Sequence, residues 1–128
     1  ELRYYFRSFQ KFDLFEVFQE ASALCNPLEI HPAISCEKNE KGRFFELTGE
    51  KVRMIHVKPS DNGDGIIFRL MSMNDQPQSS ELSFGDRIIK SATLCAPHEN
   101  KIRPLEIKDN KVILELQPMQ ITTVKVIH

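Results

Sequence analysis

Apolar positions recur along the chain in two different periods, and the contrast between them sets out the elements. From Ile66 to Met73 both alternating sets are apolar, with Ile66, Phe68 and Leu70 on one side and Ile67, Met71 and Met73 on the other. A strand that is apolar on both faces is central in its sheet and covered from both sides. The preceding run from Glu50 to Pro59 also reads as a strand. Between them Pro59-Ser60-Asp61-Asn62-Gly63-Asp64-Gly65 is dense in residues that break strands and favour positive φ or Asx turns. The stretch Glu50 to Met73 is therefore expected to form a hairpin at the centre of a two-layer β core.

The helical period occurs once. Leu14, Val17, Phe18 and Ala21 form an apolar stripe behind Asp13, which sits as N-cap with Glu16 three residues on, and Phe12 and Val17 occupy the staple positions. Cys25-Asn26-Pro27 ends the pattern, because Asn tolerates a left-handed cap and Pro cannot continue a helix. One helix is expected over about residues 13–25, packed against a sheet. Ahead of it, residues 2–9 alternate loosely between apolar and basic and suggest an edge strand.

Further short extended runs are expected at Leu28-Glu29-Ile30, Phe44 to Leu47, Gln78 to Phe84, Arg87 to Leu94, Pro104 to Ile107, Val112 to Leu116 and Gln120 to Ile127. Ile34 to Gly42 reads as a polar connection, Ala96 to Arg103 as a loop, and Asn74 to Pro77, Gly85-Asp86 and Asp109-Asn110 as turns. Turn signals every 8 to 12 residues or so mark an antiparallel sandwich rather than alternating βαβ units. The expected fold is mainly β: an antiparallel β-sandwich with one N-terminal α-helix, in a single domain over residues 1–128.

Composition narrows the function. The 128 residues are 41% hydrophobic and 27% charged, with a net charge of −1 spread along the chain. That is ordinary for a soluble globular domain, and the basic stripe that nucleic acid binding needs is missing. No apolar run approaches the roughly 18 residues of a membrane span. The three cysteines, Cys25, Cys36 and Cys95, are odd in number and far apart, which favours reduced thiols and a cytoplasmic location over a disulfide framework. The chain opens on Glu1 without an initiator Met and runs at once into a strand-like pattern, as expected of a piece of a longer protein.

No catalytic, cofactor-binding or metal site emerges from the residues. Cys95 and His98 have a Cys-x-x-His spacing without a second ligand pair, and His31 and His56 stand apart. Asp61-Asn62-Gly63-Asp64-Gly65 places glycines at the third and fifth positions, where a calcium loop needs oxygen ligands. There is no Gly-x-Ser-x-Gly elbow and no Gly-rich phosphate loop. Any of the cysteines could pair with a histidine, but buried structural cysteine is the commoner fate. Trp is absent, the tyrosines are adjacent at Tyr4 and Tyr5, and the nine phenylalanines fall mostly in apolar patterns that read as core.

Four stretches nevertheless resemble, in order and spacing, the C-terminal end of glycoside hydrolase family 38, the retaining α-mannosidases. They are Glu20-Ala21 with Cys25-Asn26-Pro27-Leu28; Lys58 with Gly63-Asp64-Gly65-Ile66-Ile67-Phe68-Arg69-Leu70; Ser91-Ala92-Thr93-Leu94-Cys95 with Glu99; and Leu116-Gln117-Pro118-Met119-Gln120-Ile121-Thr122-Thr123-Val124. The resemblance implies a non-catalytic β-sandwich domain from the C-terminal end of a larger glycoside hydrolase. The parent would cleave terminal α-mannosides with retention. Its divalent metal, usually zinc, and its aspartate nucleophile would lie in an N-terminal catalytic domain absent from this chain. The implied partners are the remaining domains of the parent, with mannoside met only through them, and neither nucleic acid nor membrane. An apolar patch is expected where those domains dock, with Leu2, Tyr4 and Phe6 as candidates. Arg69, in a strand expected to be covered on both faces, needs a partner, for which a carboxylate of this domain or of the missing ones is expected. The alternatives are an independent carbohydrate-binding module and a small enzyme built on Cys and His.

Overall fold

The computed structural model describes residues 4–26 and 44–128. They fall into two units, one within residues 1–37 and one within residues 38–128.

In the first unit, helix α1 spans Leu14–Cys25. The Asp13 side chain accepts from the backbone N–H groups of Phe15 at 2.9 Å and Glu16 at 3.4 Å, so the N-cap is as the spacing predicts. The C-terminus differs. Asn26 has φ −128° rather than a left-handed conformation, and its N–H donates to Ser22 O. No residue of the helix is buried. Tyr4 to Phe9 form no strand, because a strand needs a ladder partner and none of the described strands pairs with this segment. Leu2, the Leu28–Ile30 run and the 34–42 connection lie at least partly outside the described residues, as do His31 and Cys36.

The second unit is a sandwich of two antiparallel sheets. One has the order β1 (Glu46–Thr48), β4 (Gln78–Ser83), β8 (Lys111–Leu116), β7 (Ile107–Lys108); the other runs β2 (Val52–Pro59), β3 (Ile66–Ser72), β9 (Ile121–Ile127), β5 (Ser91–Cys95), β6 (Lys101–Pro104). The expected hairpin is β2–β3, and its second strand lies inside its sheet between β2 and β9. Phe68, Leu70, Val124, Val126 and Ala92 from one sheet meet Leu82, Val112, Leu114 and Leu116 from the other, together with Phe84 and Ile89. Phe68 sits at the middle of this core, edge-on to Phe84 at 5.3 Å and to Phe45 at 5.6 Å. Such aromatic pairs add to the gain from burial itself. Ile67, on the opposite side of β3, is fully buried as well, while Arg69 and Met71 on that side are half-buried, so the second face is covered only in part.

Several boundaries differ from expectation: the Phe44 to Leu47 run gives β1 at Glu46–Thr48, and the Pro104 to Ile107 run is split between the end of β6 and the start of β7. Residues 87–90 are not part of a strand, and β5 starts at Ser91. The expected loop 96–103 runs into β6, an edge strand from Lys101 to Pro104 that is exposed along its length. Its polar, proline-ended sequence carries no alternation because neither face is buried, and a Pro with flanking charges is how sheet edges are commonly protected.

Candidate functional site

The β2–β3 turn is built from its own side chains. Ser60 N–H donates to Gly65 O at 2.9 Å, and Gly63 N–H to Ser60 O at 2.8 Å. The buried Ser60 hydroxyl donates to Asp64 Oδ1 at 2.7 Å and accepts from Gly65 N–H at 3.1 Å. Gly63 takes a left-handed φ of 71°, the conformation that makes glycine the natural choice in such turns.

A charge network ties this turn to the 96–100 turn between β5 and β6. Lys58 Nζ lies 2.5 Å from both Asp61 Oδ1 and Glu99 Oε1. The second oxygen of Glu99 accepts from Asp61 N–H at 2.9 Å. Glu99 itself is held at φ 68°, with its N–H on Ala96 O. Arg69 donates through Nη2 to Pro97 O at 2.8 Å. Among the described residues its hydrogen bond is thus to a carbonyl at the head of the same turn and not to a carboxylate of this domain. On β9, Lys125 is almost wholly buried along its stem and reaches Asp64 Oδ1 at 2.5 Å, an arrangement in which a long aliphatic chain packs while its charge reaches a partner. The Lys58 hydrogen bond lowers the Asp61 pKa, and the Lys125 hydrogen bond lowers that of Asp64. Asp61 and Glu99 in turn raise the Lys58 amine.

Over the network opens a polar cavity of about 280 Å³, lined by Asp61, Asn62, His98, Asn100, Lys101 and Lys125 among others. Its donor set does not fit a metal. The lysine amines stand against Asp61, Glu99 and Asp64 where a cation would sit, and no group of three or more His, Cys, Asp or Glu among the described residues could hold one. Cys95 and His98 do not form a ligand pair either. Cys95 is buried with its thiol donating to Thr93 O, and burial raises its pKa, which is the setting of an inert thiol and not of a nucleophile. Cys25 is exposed and, like Cys95, free. His56 lies exposed on β2.

A second opening of about 410 Å³ lies beside β5, β6 and β9, lined by Leu94, Ile102, Arg103, Glu115, Gln117 and Ile121 among others. Ile102, Met119 and Ile121 stand exposed in this part of the sandwich. At another place Arg87 lies 4.5 Å over the Phe44 ring and contacts His128 Nε2, while His128 stacks on Phe84. Of the residues expected on a docking patch, Tyr4 and Phe6 are exposed, Phe6 almost fully.

Sequence reasoning singled out Lys58, Glu99 and Arg69 separately and did not bring them together. Lys125 was missed, although a lone lysine inside Thr122-Thr123-Val124-Lys125-Val126-Ile127 is the available signal. A charge within an apolar central strand must emerge somewhere, and here it emerges at the hairpin turn. No helix among the described residues is long and apolar enough to cross a membrane. Set against known protein families, residues 51–124, more than half of the chain, match the one described as "Glycosyl hydrolases family 38 C-terminal beta sandwich domain". A comparison with curated proteins found no match.

Proposed function

This chain belongs to the family of C-terminal β-sandwich domains of family 38 glycosyl hydrolases, and we propose that it serves such an enzyme as a non-catalytic domain packed against the rest of the molecule. The observation that carries the reading is the coincidence of the family match with the sandwich, from the start of β2 into β9. The hairpin network supports it, since its charges neutralise one another and hold two turns together instead of facing a substrate. The parent hydrolyses terminal α-mannosides with retention, and its zinc and nucleophile belong to its catalytic portion. The free thiols of Cys25 and Cys95 accord with a reducing compartment, and the proposal places the protein in the cytoplasm, with neither membrane nor nucleic acid as a partner.

The test is made on the full-length enzyme. It should release mannose from an aryl α-mannoside, with the α-anomer as first product by NMR. A chelator should abolish turnover while leaving the thermal transition of the 128-residue chain unchanged. A β-anomer as first product, or activity that survives exhaustive metal removal, would contradict the reading. A second reading, an independent carbohydrate-binding module, draws on the polar cavity, whose Asp61, Asn62 and Asn100 suit sugar hydroxyls. Calorimetric titration of the chain with mannose oligosaccharides decides it, since millimolar or tighter binding would favour that reading.

A further inference from the structure

The chain has six asparagines, and of these Asn62 alone is followed by glycine. An asparagine side-chain amide can be attacked by the backbone nitrogen of the next residue, closing a five-membered ring. A side chain on that next residue crowds the attack, and glycine has none. Asn26 is followed by Pro27, whose nitrogen carries no hydrogen and cannot take part. Asn39, Asn74, Asn100 and Asn110 precede Glu40, Asp75, Lys101 and Lys111. The structure widens the difference. Asn62 is exposed in the β2–β3 turn, and a Cβ placed on Gly63 would meet nothing within 4 Å, so the ring has room to close. Asn74 Oδ1 instead accepts from Asp75 N–H at 2.9 Å, and the Asn110 amide is pinned between Ile89 N–H and Arg87 O. Both would have to give up these bonds to turn toward the neighbouring nitrogen. No such bond holds the Asn62 amide among the described residues. One restraint acts on the attacking atom: Gly63 N–H donates to Ser60 O at 2.8 Å and must leave that acceptor before its nitrogen can react.

We propose that Asn62 is a site of spontaneous covalent modification, converting to aspartate and isoaspartate at a rate set by the hairpin turn. Hydroxide takes the Gly63 amide proton, and the nitrogen attacks Asn62 Cγ. The N–Cγ bond forms as the Cγ–Nδ2 bond breaks, and Nδ2 takes up a proton and leaves as ammonia. Solvent water then opens the cyclic imide. Opening at Cγ restores the backbone with a carboxylate on residue 62, whereas opening at the backbone carbonyl carbon routes the chain through Cγ. One water is consumed and one ammonia released, and nothing is oxidised or reduced. Either product puts a new negative charge on the wall of the polar cavity, whose lining already includes Asp61, Glu99, Lys101 and Lys125. Isoaspartate also adds a backbone carbon inside the turn that the Ser60–Gly63 bond closes.

Incubation of the folded 128-residue chain in mildly alkaline buffer tests the inference, with peptide mass spectrometry at intervals and electron-transfer fragmentation to tell isoaspartate from aspartate. The peptide holding Asn62 should show the mass gain of amide-to-acid exchange before any other asparagine of the chain does. A free peptide of residues 58–67 run beside it should convert about 2- to 10-fold faster, the effect of the one hydrogen bond that holds Gly63. Asn62→Gln, whose longer side chain would have to close a larger and slower-forming ring, should remove the gain and leave the melting temperature unchanged. Asn62 left intact in the folded chain while the free peptide converts fully would overturn the inference. So would another asparagine converting first, or a gain on the same peptide that persists in Asn62→Gln. A folded chain that converts as fast as the free peptide would overturn the control by the turn.

Discussion

Gly65 stands where the hairpin turn enters β3, and a Cβ added there would lie 2.6 Å from the backbone oxygen of Val126 on the neighbouring strand. That wall is backbone in a central ladder and cannot swing aside. Gly65→Ala is therefore expected to lower stability by about 1–3 kcal/mol, read as a shift in the urea midpoint at constant slope. Asn110 shows a different use of a turn residue. Asp109 and Asn110 have φ of 50° and 60°, both left-handed, as a two-residue hairpin loop requires. The Asn110 side chain also accepts from Ile89 N–H and donates to Arg87 O, each at 2.8 Å. Asn110→Gly keeps the turn and removes both bonds, for an expected loss of about 1–3 kcal/mol in urea unfolding. The sequence shows that a turn belongs at each place. It does not show what the turn touches, because close approach to Val126 and to the 87–89 segment arises only when distant strands are brought together.

At the scale of elements, legibility followed burial. The double apolar alternation of β3 stated both its existence and its central place, since one face is packed in the core and Ile67 is buried on the other. The N-cap of α1 was readable because capping is a contact between near neighbours in sequence. Strand β6 was not readable, since an exposed edge imposes no pattern on its side chains. The loose alternation of residues 2–9 reads as an edge strand, yet Tyr4 to Phe9 form none.

The hairpin network was visible only as separate charges, and its pH behaviour follows from the directions of shift. Asp61 and Asp64 have lowered pKa values in the folded state. Their contribution is present above the ordinary carboxylate range and is lost as pH falls through that range toward the lowered values. Thermal unfolding followed downward from neutral pH should thus show a decline in Tm that is shallower in Asp64→Asn than in the wild type. An identical decline would mean that the Lys125 pair adds nothing. Lys125 itself separates charge from packing. Lys125→Met keeps a long apolar stem in β9 and should cost less than about 1.5 kcal/mol, while Lys125→Ala also empties buried space and should cost about 2 kcal/mol or more.

For the whole molecule, the sandwich is a packed core with its charged groups turned toward one another at one end, and its family is known by its place at the C-terminal end of larger enzymes. At the hairpin the lysines pair with the carboxylates beneath the polar cavity, and Cys95 is buried with its thiol pKa raised. Exposed apolar side chains remain on both units, among them Phe6 on the first and Ile88 and Ile102 on the second. On the function proposed above, the chemistry lies elsewhere in the parent polypeptide and this chain supplies surface and stability. The direct measurement is the rate of aryl α-mannoside hydrolysis by the 128-residue chain beside that of the full-length enzyme at equal molar concentration. Turnover by the full-length enzyme with none above background from the chain is the predicted result. Hydrolysis by the chain alone at a rate near that of the full-length enzyme would contradict it.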